Sequence, residues 1–198
     1  MRNTFDRFNG RHQDYQAARP SYAQEFLDWL GELYAPPERY TAADIGSGTG
    51  KLSAQLLAAG FRVCGVEPNP DMRGAAEALL GGDPRFSSSN GTDHDTGLPD
   101  RSVDMVAAAQ AFHWFDGPAF ARECRRILRP GGRAVLVWNV RGSAPMNQAL
   151  AQVFREHCPS FHGFTGGMGE DDPRIRDFFG GAYEKRRFPN PLTLDRDR

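Results

Sequence analysis

Alternate glycines follow a short apolar segment, in the string Asp44-Ile45-Gly46-Ser47-Gly48-Thr49-Gly50. Glycine lets a chain turn sharply and lets its backbone approach a ligand closely. The N–H groups of such a loop, and of a helix that starts after it, donate hydrogen bonds to a polar ligand. A second apolar segment ends in Glu67, whose carboxylate can accept two hydrogen bonds from a ribose diol. Together the two features predict a site for a nucleoside-containing ligand.

Three ligand classes use a glycine loop of this kind, and the spacing of the glycines separates them. A phosphate-binding P-loop needs G-x-x-x-x-G-K-[ST], but here Ile45 replaces the first glycine and Leu52 replaces the hydroxyl residue. A dinucleotide fingerprint needs G-x-G-x-x-G, but here the third glycine comes one residue early and Lys51 stands in its place. The spacing therefore favours the third pattern, D-x-G-x-G-x-G, and leaves a nucleotide-dependent oxidoreductase as a less favoured alternative.

A second group of reactive side chains lies in the string AAAQAFHWFD, residues 107–116. The alanines leave room for a ligand, and one polar residue and four aromatic ones follow: Gln110, Phe112, His113, Trp114 and Phe115. Aromatic faces attract cations, and an imidazole that titrates near neutral pH suits a general base. One interpretation is a pocket wall in which His113 and Trp114 serve catalysis. The other is that Trp114 and Phe115 pack on the following helix, with His113 half exposed.

These residues lie between segments that alternate in predicted type. Strands are predicted at 40–46, 62–67, 85–90, 102–110, 133–139 and 182–188, and helices at 19–34, 51–60, 69–80, 117–128 and 144–158. The alternation implies right-handed crossovers and an α/β fold: a doubly wound, mostly parallel Rossmann-like sheet with helices on both faces. Because ligands bind at the carboxyl ends of such strands, the glycine loop, Glu67 and Gln110 are expected to meet there.

Local signals predict the ends of several elements. Ser21 with Gln24 is expected to form a capping box for the first helix, and Asn69 is expected to cap the third. Residues 130–132, Pro-Gly-Gly, predict a turn before the strand at 133–139, which is expected to be buried.

Composition argues against several function classes. The 24 Lys and Arg and 25 Asp and Glu leave a net charge of −1 with no basic stripe, so no nucleic-acid partner is predicted. No apolar stretch reaches the length of a membrane span, and the polar start lacks the apolar core of a signal peptide. Three distant cysteines without a C-x-x-C fit a reduced, cytoplasmic setting. No metal site is predicted, because His157, Cys158 and His162 match no common zinc spacing.

Four separated strings occur in an order typical of one enzyme family: ADIGSGTG, GVEPNPDM, GLPDRSVDMVAAAQAFHWFD and RILRPGGRAVLVWN. Over roughly residues 15–139 the chain resembles the class I S-adenosylmethionine-dependent methyltransferases. Within that class it resembles the small-molecule type 11 group, which includes trans-aconitate methyltransferase-like proteins, and the lead DYQAARPSY is similar to the Tyr…Arg-Pro segment of that group. The resemblance implies one domain over 1–198. Its parts are an N-terminal helical lead and cofactor cover (1–39), a cofactor-binding core (40–139), and a substrate-side helix, Gly-rich loop and last strand (140–198).

The resemblance also implies which residues would hold S-adenosylmethionine. The methionine part would contact Asp44, Gly46, Ser47 and Gly48. The ribose hydroxyls would bind Glu67, and the ribose and adenine would be bordered by Pro68, Asn69 and Met72. The adenine amino group would contact Thr92 and Asp93. The set is completed by Tyr15, Arg19 and Gln110.

One segment of the chain departs from the family pattern. Many relatives carry an acid followed by Ala-Glu before the Leu-Pro, whereas this chain reads GTDHDTGLP. Thr92 stands at the position of the acid, and Asp93 and His94 replace Ala-Glu. His94 is expected to be an exposed loop residue.

The activity that the resemblance implies is methyl transfer to a small molecule, with carboxylate and hydroxyl acceptors both open. His113 would take the proton of a hydroxyl or orient a carboxylate, which Arg19 or Arg141 would also recognise. Nucleic-acid amino-methyltransferases often carry [DNS]-P-P-[YFW] where this chain has the string QAFH, residues 110–113. A small-molecule substrate is therefore predicted, without nucleic acid or membrane, for a monomer or homodimer. If Trp114 packs on the next helix, its loss should cost more stability than loss of His113.

The C-terminal part of the chain raises an alternative. Family members usually finish with an antiparallel strand pair, but the sequence offers one candidate strand, Tyr183 to Phe188. The pair is therefore expected to be incomplete. A cofactor-binding protein without turnover is the alternative function that follows from this.

Overall fold

Parallel strands form the sheet that the sequence predicts. The computed structural model describes residues 20–140, 145–158 and 168–191. The strands in these ranges are Thr41–Ile45 (β1), Arg62–Val66 (β2), Phe86–Ser89 (β3), Val103–Ala109 (β4) and Leu128–Val137 (β5). They pair in the order β3-β2-β1-β4-β5, and every pair is parallel. The chain changes direction across the sheet between β1 and β4, the kind of switch point at which α/β sheets bind ligands.

Helices cover both faces of the sheet, as predicted. The described helices are Gln24–Leu33 (α1), Lys51–Ala58 (α2), Pro70–Leu80 (α3), Gly117–Ile127 (α4), Pro145–His157 (α5) and Pro173–Phe179 (α6). Phe26 and Leu30 of α1 belong to one core cluster together with Met105 of β4. The next residue of β4, Val106, belongs to a second cluster with Phe120 of α4, because successive strand residues point to opposite faces. None of these helices has the length and apolarity needed to span a bilayer.

The first helix begins after its predicted capping box. α1 starts at Gln24 without a side-chain cap, so the prediction that Ser21 caps it is wrong. The reason is tertiary. The carbonyl oxygen of Ser21 accepts hydrogen bonds from the side chains of Asn139 (3.2 Å) and Asn190 (2.8 Å). Gln24 donates its side-chain N–H to Asp28 instead of reaching back to close a box.

The predicted turn at Pro-Gly-Gly lies inside β5. Val103 pairs with Leu128 and Met105 pairs with Arg133. Five residue steps along β5 therefore lie opposite two residue steps along β4. Residues 130–132 form the irregularity that absorbs the difference. The prediction of a buried strand at 133–139 is wrong: most of β5 is half-buried, because it lies at an edge of the described sheet and pairs on one side only.

The predicted last strand, Tyr183 to Phe188, is not a strand in the structure. Its side chains hold the segment in place. Lys185 forms ion pairs with Glu170 and Asp171. The guanidinium of Arg186 lies 5.1 Å from the ring centre of Trp29. The segment is therefore fixed by side-chain contacts and not by a strand ladder.

Candidate functional site

Three glycines in the left-handed conformation build the loop after β1. Gly46, Gly48 and Gly50 have φ angles of +69°, +56° and +80°, which residues with a Cβ rarely adopt. A Cβ added at Gly46 would lie 2.8 Å from the Cβ of Ala111, so glycine lets this loop pack closely on the segment after β4. A Cβ added at Gly48 would meet nothing within 4 Å. Gly48 therefore borders open space, where a ligand can approach the backbone.

The amides of this loop already serve the fold. The N–H groups of Gly46 and Ser47 both donate to the carbonyl oxygen of Val66, at 2.9 and 3.1 Å, and so tie the loop to β2. The N–H of Gly48 donates to Oε2 of Glu67 at 2.9 Å. The contribution of Gly46 and Ser47 to a ligand would therefore come from their carbonyl groups and from the close approach of their backbone.

Asp44 is a buried carboxylate near the carboxyl end of β1. Its side chain is 1% exposed. Its Oδ2 accepts a hydrogen bond of 2.7 Å from the hydroxyl of Ser53, while Oδ1 is buried and has no hydrogen-bond partner among the described residues. Burial raises the pKa of Asp44 to about 6, hydrogen bonds from Ser53 oppose the rise, and the charge of Glu67 adds to it. A buried acceptor of this kind favours a cationic donor group.

Glu67 follows β2 and bridges two loops. Its Oε2 accepts from Gly48 N–H, and its Oε1 accepts from Asn69 N–H at 2.8 Å. Burial raises the pKa of Glu67, and these two hydrogen bonds and the charge of Arg73 oppose the rise. Each carboxylate oxygen has a second lone pair, so Glu67 can accept two further hydrogen bonds from a diol.

The residues after Glu67 turn the chain into α3. Asn69 is the N-cap, as predicted: its Oδ1 accepts from the N–H groups of Asp71 (2.9 Å) and Met72 (3.0 Å). Its side chain is therefore committed to the helix, and Met72 is buried at 3% exposure.

Thr92 and Asp93 lie in the loop after β3 with their side chains engaged. Oγ1 of Thr92 accepts from the N–H of Asp95 at 3.1 Å. Asp93 accepts from the N–H of Asp116 at 3.1 Å, which joins this loop to the N-terminus of α4. The ring of His94 lies 3.1 Å from Asp93, and its side chain is 57% exposed, as expected for a loop residue.

A buried hydrogen-bond network anchors the same loop. Both the N–H and the hydroxyl of Thr96 donate to Oε1 of Glu123 in α4, at 2.9 and 2.6 Å. Arg126 makes a bidentate contact with the same carboxylate. Burial on its own would raise the pKa of Glu123, but the hydrogen bonds from Arg126 and Thr96 lower it to about 2. The network holds the loop that carries Thr92 and Asp93 against α4.

Gln110 marks the carboxyl end of β4. It has a φ of +54°, which is uncommon for a residue with a Cβ and occurs often at functional sites. Its N–H donates to the carbonyl of Val137 at 2.9 Å, and its side chain donates to the carbonyl of Asn139 at 3.1 Å. Gln110 therefore ties the end of β4 to the end of β5 at the predicted edge of the sheet.

The aromatic cluster after Gln110 divides between core and surface. Phe112 is 2% exposed, so its expected place in the pocket wall is wrong. Phe115 contacts Phe120 of α4 at 4.9 Å between ring centres. Trp114 is 46% exposed, so nearly half of its surface faces solvent. The half-buried His113 lies 4.8 Å from Trp114 between ring centres. A short 3-10 turn over Phe112–Trp114 produces this division, because it directs Phe112 inward and Trp114 outward.

Known proteins of similar sequence and fold are methyltransferases. A protein from Anaeromyxobacter dehalogenans, described as a candidate type II methyltransferase, is 33% identical and superposes with a TM-score of 0.57 over 89% of this chain and 70% of that one. The methyltransferase domain family matches residues 43–136. This chain belongs to the class I methyltransferases. The matched range runs from β1 to β5 and includes the glycine loop, Glu67 and Gln110.

The chain matches only part of its curated relatives. An uncharacterized methyltransferase of Mycobacterium bovis is 42% identical over 127 residues, which are 64% of this chain and 49% of the relative. One from Schizosaccharomyces pombe is 31% identical over 147 residues, 73% of this chain and 57% of the relative. The chain thus spans about half the length of the curated relatives it matches.

A second solved structure supports the family assignment. It comes from Anabaena variabilis and is described as a candidate methyltransferase from an antibiotic biosynthesis pathway. It is 25% identical, with a TM-score of 0.61 over 80% of this chain and 61% of that one. Membership of the trans-aconitate-like subgroup stays a prediction.

Sequence patterns missed two residues of the candidate site. Arg73 of α3 donates from Nη1 to the carbonyls of Glu67 (2.8 Å) and Pro68 (3.3 Å) and to the side chain of Asn90 (3.0 Å). It therefore joins the loops that follow β2 and β3. Ser53 of α2 contacts Asp44. The one feature of the sequence that could have indicated Ser53 is its position, as a small polar residue on the apolar side of a predicted helix.

Several residues of interest in the sequence lie outside the part of the chain that the structure describes. Tyr15, Arg19, Arg141 and His162 lie outside the described residues. Across 20–140, 145–158 and 168–191, no group of three or more His, Cys, Asp or Glu side chains is arranged to hold a metal ion.

Proposed function

We propose that this chain binds S-adenosylmethionine and transfers its methyl group to a small-molecule acceptor. The observation that carries the proposal is the contact of Glu67 with the N–H of Gly48 at 2.9 Å, because it places a carboxylate beside a left-handed glycine loop at the switch point of the sheet. The buried Oδ1 of Asp44 and the open space at Gly48 fit a cationic, nucleoside-containing cofactor. The matching family supports the same cofactor.

In this proposal each group of residues holds one part of the cofactor. Asp44 and the backbone of residues 46–48 hold the methionine part. Glu67 accepts hydrogen bonds from the two ribose hydroxyls. The ribose and adenine are bordered by Pro68, Asn69 and Met72. The adenine amino group is met by Thr92 and Asp93, and the site is completed by Tyr15, Arg19 and Gln110. The cofactor-binding core is residues 40–139, flanked by the lead at 1–39 and the substrate side at 140–198.

The chemistry asked of the protein is mainly positioning. The bound cofactor supplies a methyl group on a sulfonium, which leaves as a neutral thioether. Holding an acceptor in line with that methyl group supplies several kcal/mol of rate acceleration, since orientation alone reaches roughly 7–11 kcal/mol in favourable cases. The exposed Trp114 and the half-buried His113 lie beyond Gln110 and form the acceptor side. The net charge of −1 favours a small molecule over nucleic acid.

His113 has one of two roles, which depend on the acceptor. A hydroxyl acceptor loses its proton as it gains the methyl group, and His113 takes that proton. Because Nδ1 is buried, we propose that Nε2 is the nitrogen that receives the proton from the acceptor. A carboxylate acceptor has no proton to lose, and His113 then orients it.

Titration calorimetry tests the cofactor class. We expect S-adenosylmethionine and S-adenosylhomocysteine to bind, and NAD not to bind, because Lys51 stands where a dinucleotide fingerprint needs glycine. Tight binding of NAD without a response to S-adenosylhomocysteine would sink the assignment. Transfer of a radiolabelled methyl group from the cofactor then separates an enzyme from a cofactor-binding protein without turnover.

The variants His113→Ala and Trp114→Ala test the acceptor side. We expect both to lower turnover while cofactor affinity changes little, because both side chains lie beyond the glycine loop. General-base catalysis contributes roughly 100-fold or more, so His113→Ala should lose about that factor if the acceptor is a hydroxyl. Because only a neutral imidazole can accept the proton, the wild-type rate should then rise with pH, and His113→Ala should flatten the rise.

The control for this pair is His157→Ala, which removes an exposed histidine from the last turn of α5. It should leave turnover unchanged. Full turnover by a folded His113→Ala preparation would remove His113 from the mechanism.

A further inference from the structure

Ser53 is a fully buried hydroxyl near the start of α2. Its residue is 0% exposed, and its Oγ lies 2.7 Å from Oδ2 of Asp44. Serine is not favoured inside helices, because its hydroxyl competes for backbone hydrogen bonds. Its presence at a buried position therefore calls for a polar partner, and Asp44 is that partner.

The residues that neighbour Asp44 explain why the hydroxyl of Ser53 matters to this carboxylate. The residues paired with Asp44 in the sheet are Gly65 of β2 and Ala107 of β4, and neither carries a charge. Ser53 on α2 is neutral, and the charge that acts on Asp44 is that of Glu67. Among the residues that the structure describes, no positive charge lowers the pKa of Asp44, and hydrogen bonds from Ser53 are what lower it.

We propose that Ser53 is a positioning residue for the cofactor, whose hydroxyl holds Oδ2 of Asp44 so that the carboxylate stays ionised and Oδ1 can receive a cationic group. The inference rests on the proposed function, since it assigns the methionine part of S-adenosylmethionine to Asp44. It explains why one carboxylate oxygen is bonded within the protein and the other has no partner among the described residues.

Cofactor affinity becomes linked to pH through this pair. A cationic ligand favours the ionised form of Asp44, so affinity should fall as pH drops through the pKa of Asp44, about 6. Without the Ser53 hydroxyl this pKa rises further, because a hydrogen bond to the charged form is lost while burial remains. The loss of affinity in Ser53→Ala should therefore be large at low pH and small at higher pH.

The experiment titrates S-adenosylmethionine into wild type, Ser53→Ala and Ser53→Thr near pH 5.5 and near pH 7.5. We expect Ser53→Ala to bind about tenfold more weakly at the lower pH and nearly normally at the higher one, as for a pKa increase of about one unit. Threonine keeps the hydroxyl and should restore binding. The matched control is Ser102→Ala, which removes a hydroxyl that donates to Pro99 at 2.7 Å. It should change neither value.

Several outcomes would overturn the inference. If Ser53→Ala binds S-adenosylmethionine equally weakly at both pH values, Ser53 has a purely structural role. If its affinity is unchanged at both pH values, Ser53 has no role in cofactor binding. Asp44→Asn provides a second test if Ser53→Ala does not fold. It should remove the part of the pH dependence of cofactor affinity that Asp44 causes, and any pH dependence that is left is attributed to Glu67. A full pH dependence in Asp44→Asn contradicts the inference while leaving the proposed function intact. Failure of wild type to bind at either pH overturns both.

Discussion

Glu67→Ala is expected to weaken S-adenosylmethionine binding by about 100-fold or more. The variant loses two hydrogen bonds from the carboxylate to the ribose hydroxyls, and hydrogen bonds to charged groups contribute roughly 1.5–3 kcal/mol each. It also leaves the N–H groups of Gly48 and Asn69 without their acceptor, which loosens two loops of the site. Calorimetric dissociation constants measure the effect.

The matched control is Glu77→Ala, ten residues further along the chain. The Glu77 side chain is 51% exposed and contacts Arg73 at 3.8 Å, so its loss should change affinity little. A second variant, Glu67→Gln, keeps the shape of the side chain but replaces one acceptor oxygen by a donor. It should fall between wild type and Glu67→Ala. Equal affinities for Glu67→Ala and Glu77→Ala would remove Glu67 from the cofactor site.

Phe112→Ala is expected to lower the free energy of unfolding by about 3–5 kcal/mol, the usual cost of truncating a fully buried aromatic ring. Phe112 is 2% exposed, and its ring centre lies 5.2 Å from that of Phe178, 6.1 Å from that of Phe120 and 6.4 Å from that of Trp138. Its loss leaves a cavity between α4, α6 and the end of the sheet. Urea denaturation followed by circular dichroism measures the change.

Trp114→Ala is the control for this prediction, because it removes a larger ring two residues away. Trp114 is 46% exposed, and substitutions of exposed residues usually change stability by no more than about 0.5 kcal/mol. A greater loss of stability in Trp114→Ala than in Phe112→Ala would mean that the 3-10 turn places these rings differently. The same pair of variants distinguishes a residue of the core from a residue of the proposed acceptor side, since Trp114→Ala should lower turnover while stability stays nearly unchanged.

Local patterns in the sequence predicted the elements that carry the site. The order of strands and helices up to residue 139, the sharp glycine turn and the Asn69 cap all depend on residues close together in the chain, and the structure contains them. The capping role of Ser21 was wrong for the complementary reason. Its carbonyl oxygen accepts hydrogen bonds from the side chains of Asn139 and Asn190. These residues lie more than a hundred positions away, so the sequence around Ser21 cannot indicate them.

The sequence by itself determined the family, the α/β order and the placement of Gly48, Glu67 and Gln110 at one edge of the sheet, because spacing and strand direction suffice for these. Only the tertiary structure decided which side chains at that edge are buried in the core and which are exposed. Phe112 and Trp114 are both large and apolar, and their burial depends on the turn between them and on helices that are distant in the chain. The partnership of Ser53 with Asp44 is of the same kind, since a buried hydrogen bond requires two elements to pack before donor and acceptor meet.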